Sequence, residues 1–151
     1  GVVSDHLSAF WDISPTMREL AGAEAQKDTD GLSMVPTLLG KKGQKKHDSL
    51  YWEFSEQGGK RAFRKGKWKL IHLNVGKSLK PTVELYNLDT DLGEEKNLAS
   101  SNPEVVSELT KLMNLEHTTS ELDQFRFAFE LSEQELAARL KVKKKKKKGK
   151  K

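Results

Sequence analysis

The stretch KRAFRKGKWKLIHL (Lys60 to Leu73) constrains the fold more than any other part of the chain. Two alternating runs flank Lys65-Gly66, and β-capable runs meeting at a glycine read as a tight antiparallel hairpin. Ala62 and Phe63 precede the turn; Trp68, Leu70 and Ile71 follow it. A lone hairpin is marginal in water and needs further strands and an apolar cover. SLYWEF (Ser49 to Phe54), ended by Gly58-Gly59, supplies a strand before it, and TVELYNL (Thr82 to Leu88) supplies one after. The cover is the helix in NPEVVSELTKLM, with Asn102 as cap, Pro103 at the first helical position and Glu104 at the positive dipole end. Its Val105, Val106, Leu109, Leu112 and Met113 fall on one stripe. The class implied is α+β: a small four-stranded antiparallel sheet packed on a C-terminal helix, with an N-terminal helical segment.

That segment is DISPTMRELAG (Asp12 to Gly22). Ser14 before Pro15 reads as a helix cap rather than a nucleophile, because no local histidine could activate its hydroxyl. An earlier start near Ser8, kinked at Pro15, is the alternative. Phe10, Ile13, Met17 and Leu20 recur on one face, and Gly22 is the stop. Asp30-Gly31 marks a turn, Ser33 a second cap, Gly40 another stop, and Lys41 to Lys46 a basic loop. Beyond the long helix, Phe125 to Phe129 alternates like a short strand, and Ser132 with Glu135 forms a capping box for a last helix. The expected organisation is a helix-and-loop segment over 1–46, an α+β unit over 47–118, an extension over 119–140 and a disordered lysine-rich tail over 141–151.

Charge is unevenly spread. Lys and Arg total 27 against 22 Asp and Glu, but nine of the lysines follow Leu140, so 18 remain against 22 and the body is acidic. The tail is either a solvated terminus or, through Lys143 to Lys151, a tether to an anionic polymer or surface. No aromatic residue interleaves those lysines, which argues against stacking on a single strand of nucleic acid. Cysteine is absent, which excludes disulfides and thiolate chemistry and leaves the redox compartment unread. No apolar run approaches the roughly 20 residues that span a bilayer. The start at Gly1 rather than Met suggests a processed chain, a tag remnant or a fragment.

A search for chemistry finds no complete set. Asp89, Asp91, Glu94 and Glu95 invite a calcium loop, but counting from Asp89 places glycine fifth instead of sixth and Ser100 where the twelfth position needs a glutamate. His6, His47, His72 and His117 share no metal-ligand spacing, and His72 reads as a solvated or hydrogen-bonded strand residue. No catalytic residue and no metal ligand is assigned.

One ordered series of phrases adds to this reading. SDHLSAFWDISPTMRELAG, DGLSMVPTLLG, LYWEF, RAFRKGKWKLI, ELYNLDTDLGEEKNLA and NPEVVSELTKLM occur in succession. Together, over Gly1 to Met113, they resemble the C-terminal region of the formylglycine-dependent, arylsulfatase-type sulfatases. The resemblance implies a large α/β catalytic domain as partner, a four-stranded sheet on a helix as the smaller piece, and hydrolysis of a sulfate ester. Family chemistry uses a formylglycine made within Cys/Ser-x-Pro-x-Arg, beside a carboxylate-bound calcium ion. This chain does not carry that motif: aligned on Pro15, Ile13 stands at the nucleophile position and Met17 where arginine is required.

The resemblance therefore implies that calcium and formylglycine belong to a part of the enzyme outside this chain, which is expected to be inactive alone. In the family the smaller domain borders the cleft. His47, Trp52, Arg61 and Arg64 are the candidates for contact with the sulfated substrate, since an arginine fork suits sulfate and an aromatic can stack on a sugar. The alternative is that Trp52 belongs to the core and both arginines face solvent. Family habit points to the periplasm, the lysosome or the cell exterior.

Overall fold

The computed structural model describes residues 1–148, which form two compact units, Gly1–Leu50 and the chain from Tyr51 onward. In the first unit a 3-10 turn over Phe10–Asp12 runs directly into α1 (Ile13–Leu20). Ser14 thus lies inside the helix, and its hydroxyl donates to Gln26 Oε1 at 3.1 Å. The expected Ser14 cap is corrected: the start moves upstream because the Asp12 carboxylate, not the serine, takes up a free backbone N–H, that of Ala9 at 2.7 Å. The stop is as read. Gly22 adopts φ +66°, its N–H bonds Glu19 O and the Ala23 N–H bonds Arg18 O, the paired ending that favours glycine. The short α2 (Val35–Leu38) ends the same way at Gly40.

The second unit is built on the sheet of β1 (Leu50–Phe54), β2 (Lys60–Lys65), β3 (Trp68–Leu73) and β4 (Thr82–Asn87), in the order β1-β2-β3-β4. The hairpin closes at the Lys65–Trp68 pair with Gly66 at φ +55°, the first central position of a two-residue turn. Register then aligns Phe63 with Leu70 and Leu70 with Leu85 across three strands. This row is covered by α3 (Pro103–Leu115) through Leu109 and Met113, and all five side chains are buried. Truncating Met113, fully enclosed, to alanine removes about 2–5 kcal/mol by the usual cavity penalty.

Two local expectations are corrected. Asn102 occupies the cap position of α3, but its amide donates back to Leu98 O at 3.0 Å and makes no side-chain cap. Phe125–Phe129 is not a strand. It forms two 3-10 turns, Asp123–Phe125 and Ala128–Glu130, because the adjacent Phe127 and Ala128 are both buried while Phe125 and Phe129 stay exposed, which alternation forbids. The Ser132–Glu135 capping box is present, with the Ser132 N–H on Glu135 Oε2 at 2.8 Å, and starts α4 (Glu133–Lys148). The helix runs as far as Lys148, and residues 149–151, part of the expected lysine-rich tail, lie outside the described residues. Among the described residues no helix is long and apolar enough to cross a membrane.

Candidate functional site

Asp12 organises the first unit. Its side chain is wholly buried, and it accepts the N–H of Ala9 at 2.7 Å, the N–H of Leu32 at 2.8 Å and a hydrogen bond from His47 Nε2 at 2.9 Å. Burial by itself would raise this carboxyl, but the two backbone donors and the His47 ring outweigh it and hold the pKa below the usual 3.8. One turn on, the buried Thr16 hydroxyl donates to Asp12 O at 2.6 Å and accepts the Met34 N–H at 2.9 Å. Gly31 completes the joint: a Cβ there would stand 2.3 Å from Trp11 O. His47 is therefore held in a structural clasp.

In the second unit Arg61 is 2% exposed, so it is no surface residue. Its guanidinium donates from Nε to Tyr51 Oη at 2.8 Å, from Nη1 to Asn114 Oδ1 at 3.0 Å and from Nη2 to Met113 O at 2.8 Å, tying β2 to α3. The Tyr51 hydroxyl donates in turn to Glu53, whose Oε1 also meets His117 Nδ1. His117 Nε2 lies 3.1 Å from Glu130 Oε1 without hydrogen-bond alignment. Burial and the bond to Glu53 push the Tyr51 phenol well up, against the pull of Arg61. Opposite Arg61 on β3 stands His72, 6% exposed, with its Nε2 3.4 Å from Thr110 Oγ1. Burial, helped by the Arg61 charge, lowers its pKa to about 4 and leaves the ring neutral.

Of the four sequence candidates, His47 belongs to the first unit and the other three to the second, where Arg61 and Arg64 point to opposite faces because strand side chains alternate. Tyr51 reaches Arg61, so its neighbour Trp52 lies on the Arg64 face, where both side chains are half-buried. Arg64 Nε is buried without a hydrogen-bond partner. The sequence reading weighed His72 and His117 only as metal ligands and did not single out Tyr51 or Asn114. Only pairing across β2 and β3, and the return of α3, could have brought them together.

A family model described as N-sulphoglucosamine sulphohydrolase, C-terminal, matches residues 1–121. The chain belongs to this family. Arylsulfatase K of Danio rerio is 32% identical over 108 residues, which is 68% of this chain and 20% of the relative. The Delta 4,5-hexuronate-2-O-sulfatase of Bacteroides thetaiotaomicron is 34% identical over 103 residues, 63% of this chain and 20% of the relative. A solved 2-O GAG sulfatase superposes with TM-score 0.58 at 30% identity, over 68% of this chain and 23% of that one. The match thus spans about a fifth of the length of these curated relatives.

For this C-terminal sulfatase domain the motif residues have structural work to do. Asp91 accepts the N–H groups of Glu95 at 3.0 Å and Lys96 at 2.9 Å, and Asn97 accepts that of Leu85 at 3.1 Å. The acidic loop is a fold joint docked on β4. Among the described residues no group of three or more acidic or histidine side chains could hold a metal, and the Ser14 hydroxyl is inside α1.

Proposed function

We propose that this chain serves as the C-terminal subdomain of a sulfuric ester hydrolase, closing its fold against a catalytic domain and bordering the substrate cleft, and that it has no turnover alone. The observation that carries the reading is the exposed apolar set of the first unit: Phe10, in the turn before α1, is 84% exposed, and Met17 (59%) and Leu20 (51%) stand three apart on α1, at the spacing of one helix face. A helix stripe this exposed, in a chain matching a fifth of its sulfatase relatives, suits a catalytic domain as its cover. Of the four sequence candidates, Trp52 and Arg64 on the shared sheet face are the pair suited to a sulfated substrate. Arg61 lies on the opposite sheet face, and His47 is held by Asp12 within the first unit.

The test is a chimera in which this chain replaces the matching C-terminal region of the Danio rerio arylsulfatase K. The expected result is a soluble enzyme with aryl sulfatase activity, and no turnover from the chain alone, even with calcium and a formylglycine-generating enzyme. Hydrolysis proportional to the isolated chain would overturn the reading.

A second reading rests on the concentration of nine lysines after Leu140 in an otherwise acidic chain. It is a polyanion-binding module acting through that tail. Heparin retention should then fall steeply with salt and vanish on truncation after Leu140. Retention unchanged by truncation would dismiss it.

A further inference from the structure

The second unit contains a cavity of about 430 Å³, within the size range of small-ligand sites, lined among others by Arg61, His72, Thr110, Asn114, His117 and Phe129. Its floor is electrostatically unbalanced. All three acceptors of the buried Arg61 guanidinium are neutral: a phenol, an amide and a backbone carbonyl. A guanidinium has five N–H donors, so two remain uncommitted by these bonds. Among the described residues no carboxylate pairs with Arg61 within 4.0 Å; Glu53 stands one phenol away. Burying a cation against neutral acceptors alone is costly, and an anion in the cavity would offset that cost.

The rest of the wall suits such an anion. Asn114 turns its Oδ1 to Arg61, which leaves its amide N–H groups as further donors, and Thr110 adds a hydroxyl. Phe129, 47% exposed, sits with its ring 4.9 Å from the guanidinium carbon and gives an apolar flank at the mouth. We propose that this cavity binds a compact oxyanion-bearing ligand, a sulfate or carboxylate group, with Arg61 as its counter-charge and Asn114 and Thr110 as orienting donors. This goes beyond closure of a sulfatase fold and stands whether or not the chain borders a catalytic cleft.

His72 is the reporter. The groups around it are Arg61 from β2, Thr110 and Asn114 from α3, and His117 beyond the helix end. An anion placed among them cancels the repulsion from Arg61, so the ring should titrate higher. The experiment follows the ring signals of ¹³C-labelled histidines in the whole chain, against pH, with sodium sulfate, sodium glucuronate, or sodium chloride at matched ionic strength. A saturable rise of about 1–3 in the His72 pKa with sulfate or glucuronate, absent with chloride, is expected. A tighter response to glucuronate identifies a sugar acid as the source, and a response to sulfate alone a free oxyanion. Thr110→Met, which fills the cavity without touching the Arg61 bonds, should abolish the response while the other three histidines keep their shifts. Equal behaviour in chloride, no saturation, or an unchanged response in Thr110→Met overturns the proposal.

Discussion

A histidine set opposite an arginine on neighbouring strands leaves little room for a second positive charge, and His72 is in addition almost wholly enclosed. Its folded pKa of about 4 lies below the ordinary 6.5. Between those values the unfolded chain binds a proton that the folded chain refuses, so stability rises with pH across the window. The contribution is complete above 6.5 and is lost as pH falls toward 4. Urea unfolding followed by tryptophan fluorescence should lose about 2 kcal/mol from this residue between pH 7 and pH 4, after allowance for partial solvent screening. His72→Gln, which keeps a polar contact for Thr110, should flatten that part of the profile; an unchanged slope would refute the assignment. Asp12 and Glu130 act in a different window. Their carboxyls are held low against the pull of burial, so their contributions are full above 3.8 and 4.5 and fail only as pH drops through their lower folded values.

At the scale of elements, the two glycines after β1 do more than end a strand. Gly58 and Gly59 adopt φ +105° and +80°, and their carbonyls accept the N–H groups of Gly76 at 2.9 Å and Val75 at 3.2 Å. The β1–β2 loop is thus bonded to the β3–β4 loop, and a Cβ on Gly59 would stand 2.6 Å from Gly76 N. Gly59→Ala should cost roughly 2–4 kcal/mol, combining left-handed backbone strain with displacement of a backbone neighbour. Denaturant unfolding checks it, and a loss below 1 kcal/mol would show that the loops separate freely. The same contrast explains what the sequence discloses. β2, β3 and α3 were legible because period-2 and period-3.6 patterns and a glycine turn are local signals. The Gly58-Gly59 lock, the Asp12 clasp and the Arg61–His72 pairing were not, because each depends on a partner that only the fold brings near. Ser14 misled for the same reason: its local pattern is that of a cap, and a buried aspartate two residues earlier outcompetes it.

Considered by its two units, the molecule contrasts a second unit that buries its apolar stripe, Leu109 and Met113 of α3 against the sheet, with a first unit that leaves Phe10, Ile13, Met17 and Leu20 exposed. Both stripes were written in the sequence with the same helical spacing, so periodicity identified the faces but not their covers. The difference yields a prediction with opposite signs in two settings. In the isolated chain, replacing Phe10 and Met17 by aspartate removes exposed apolar surface and should lower dye binding and self-association, with the unfolding of the second unit unchanged. In the chimera with the Danio rerio catalytic region, the same pair would place two carboxylates in an apolar contact that stays dry. Desolvation of each charge costs several kcal/mol, so soluble yield and melting temperature should fall together. Improvement in both settings would mean that the α1 face stays in water, and the subdomain would have to meet its catalytic partner through another surface.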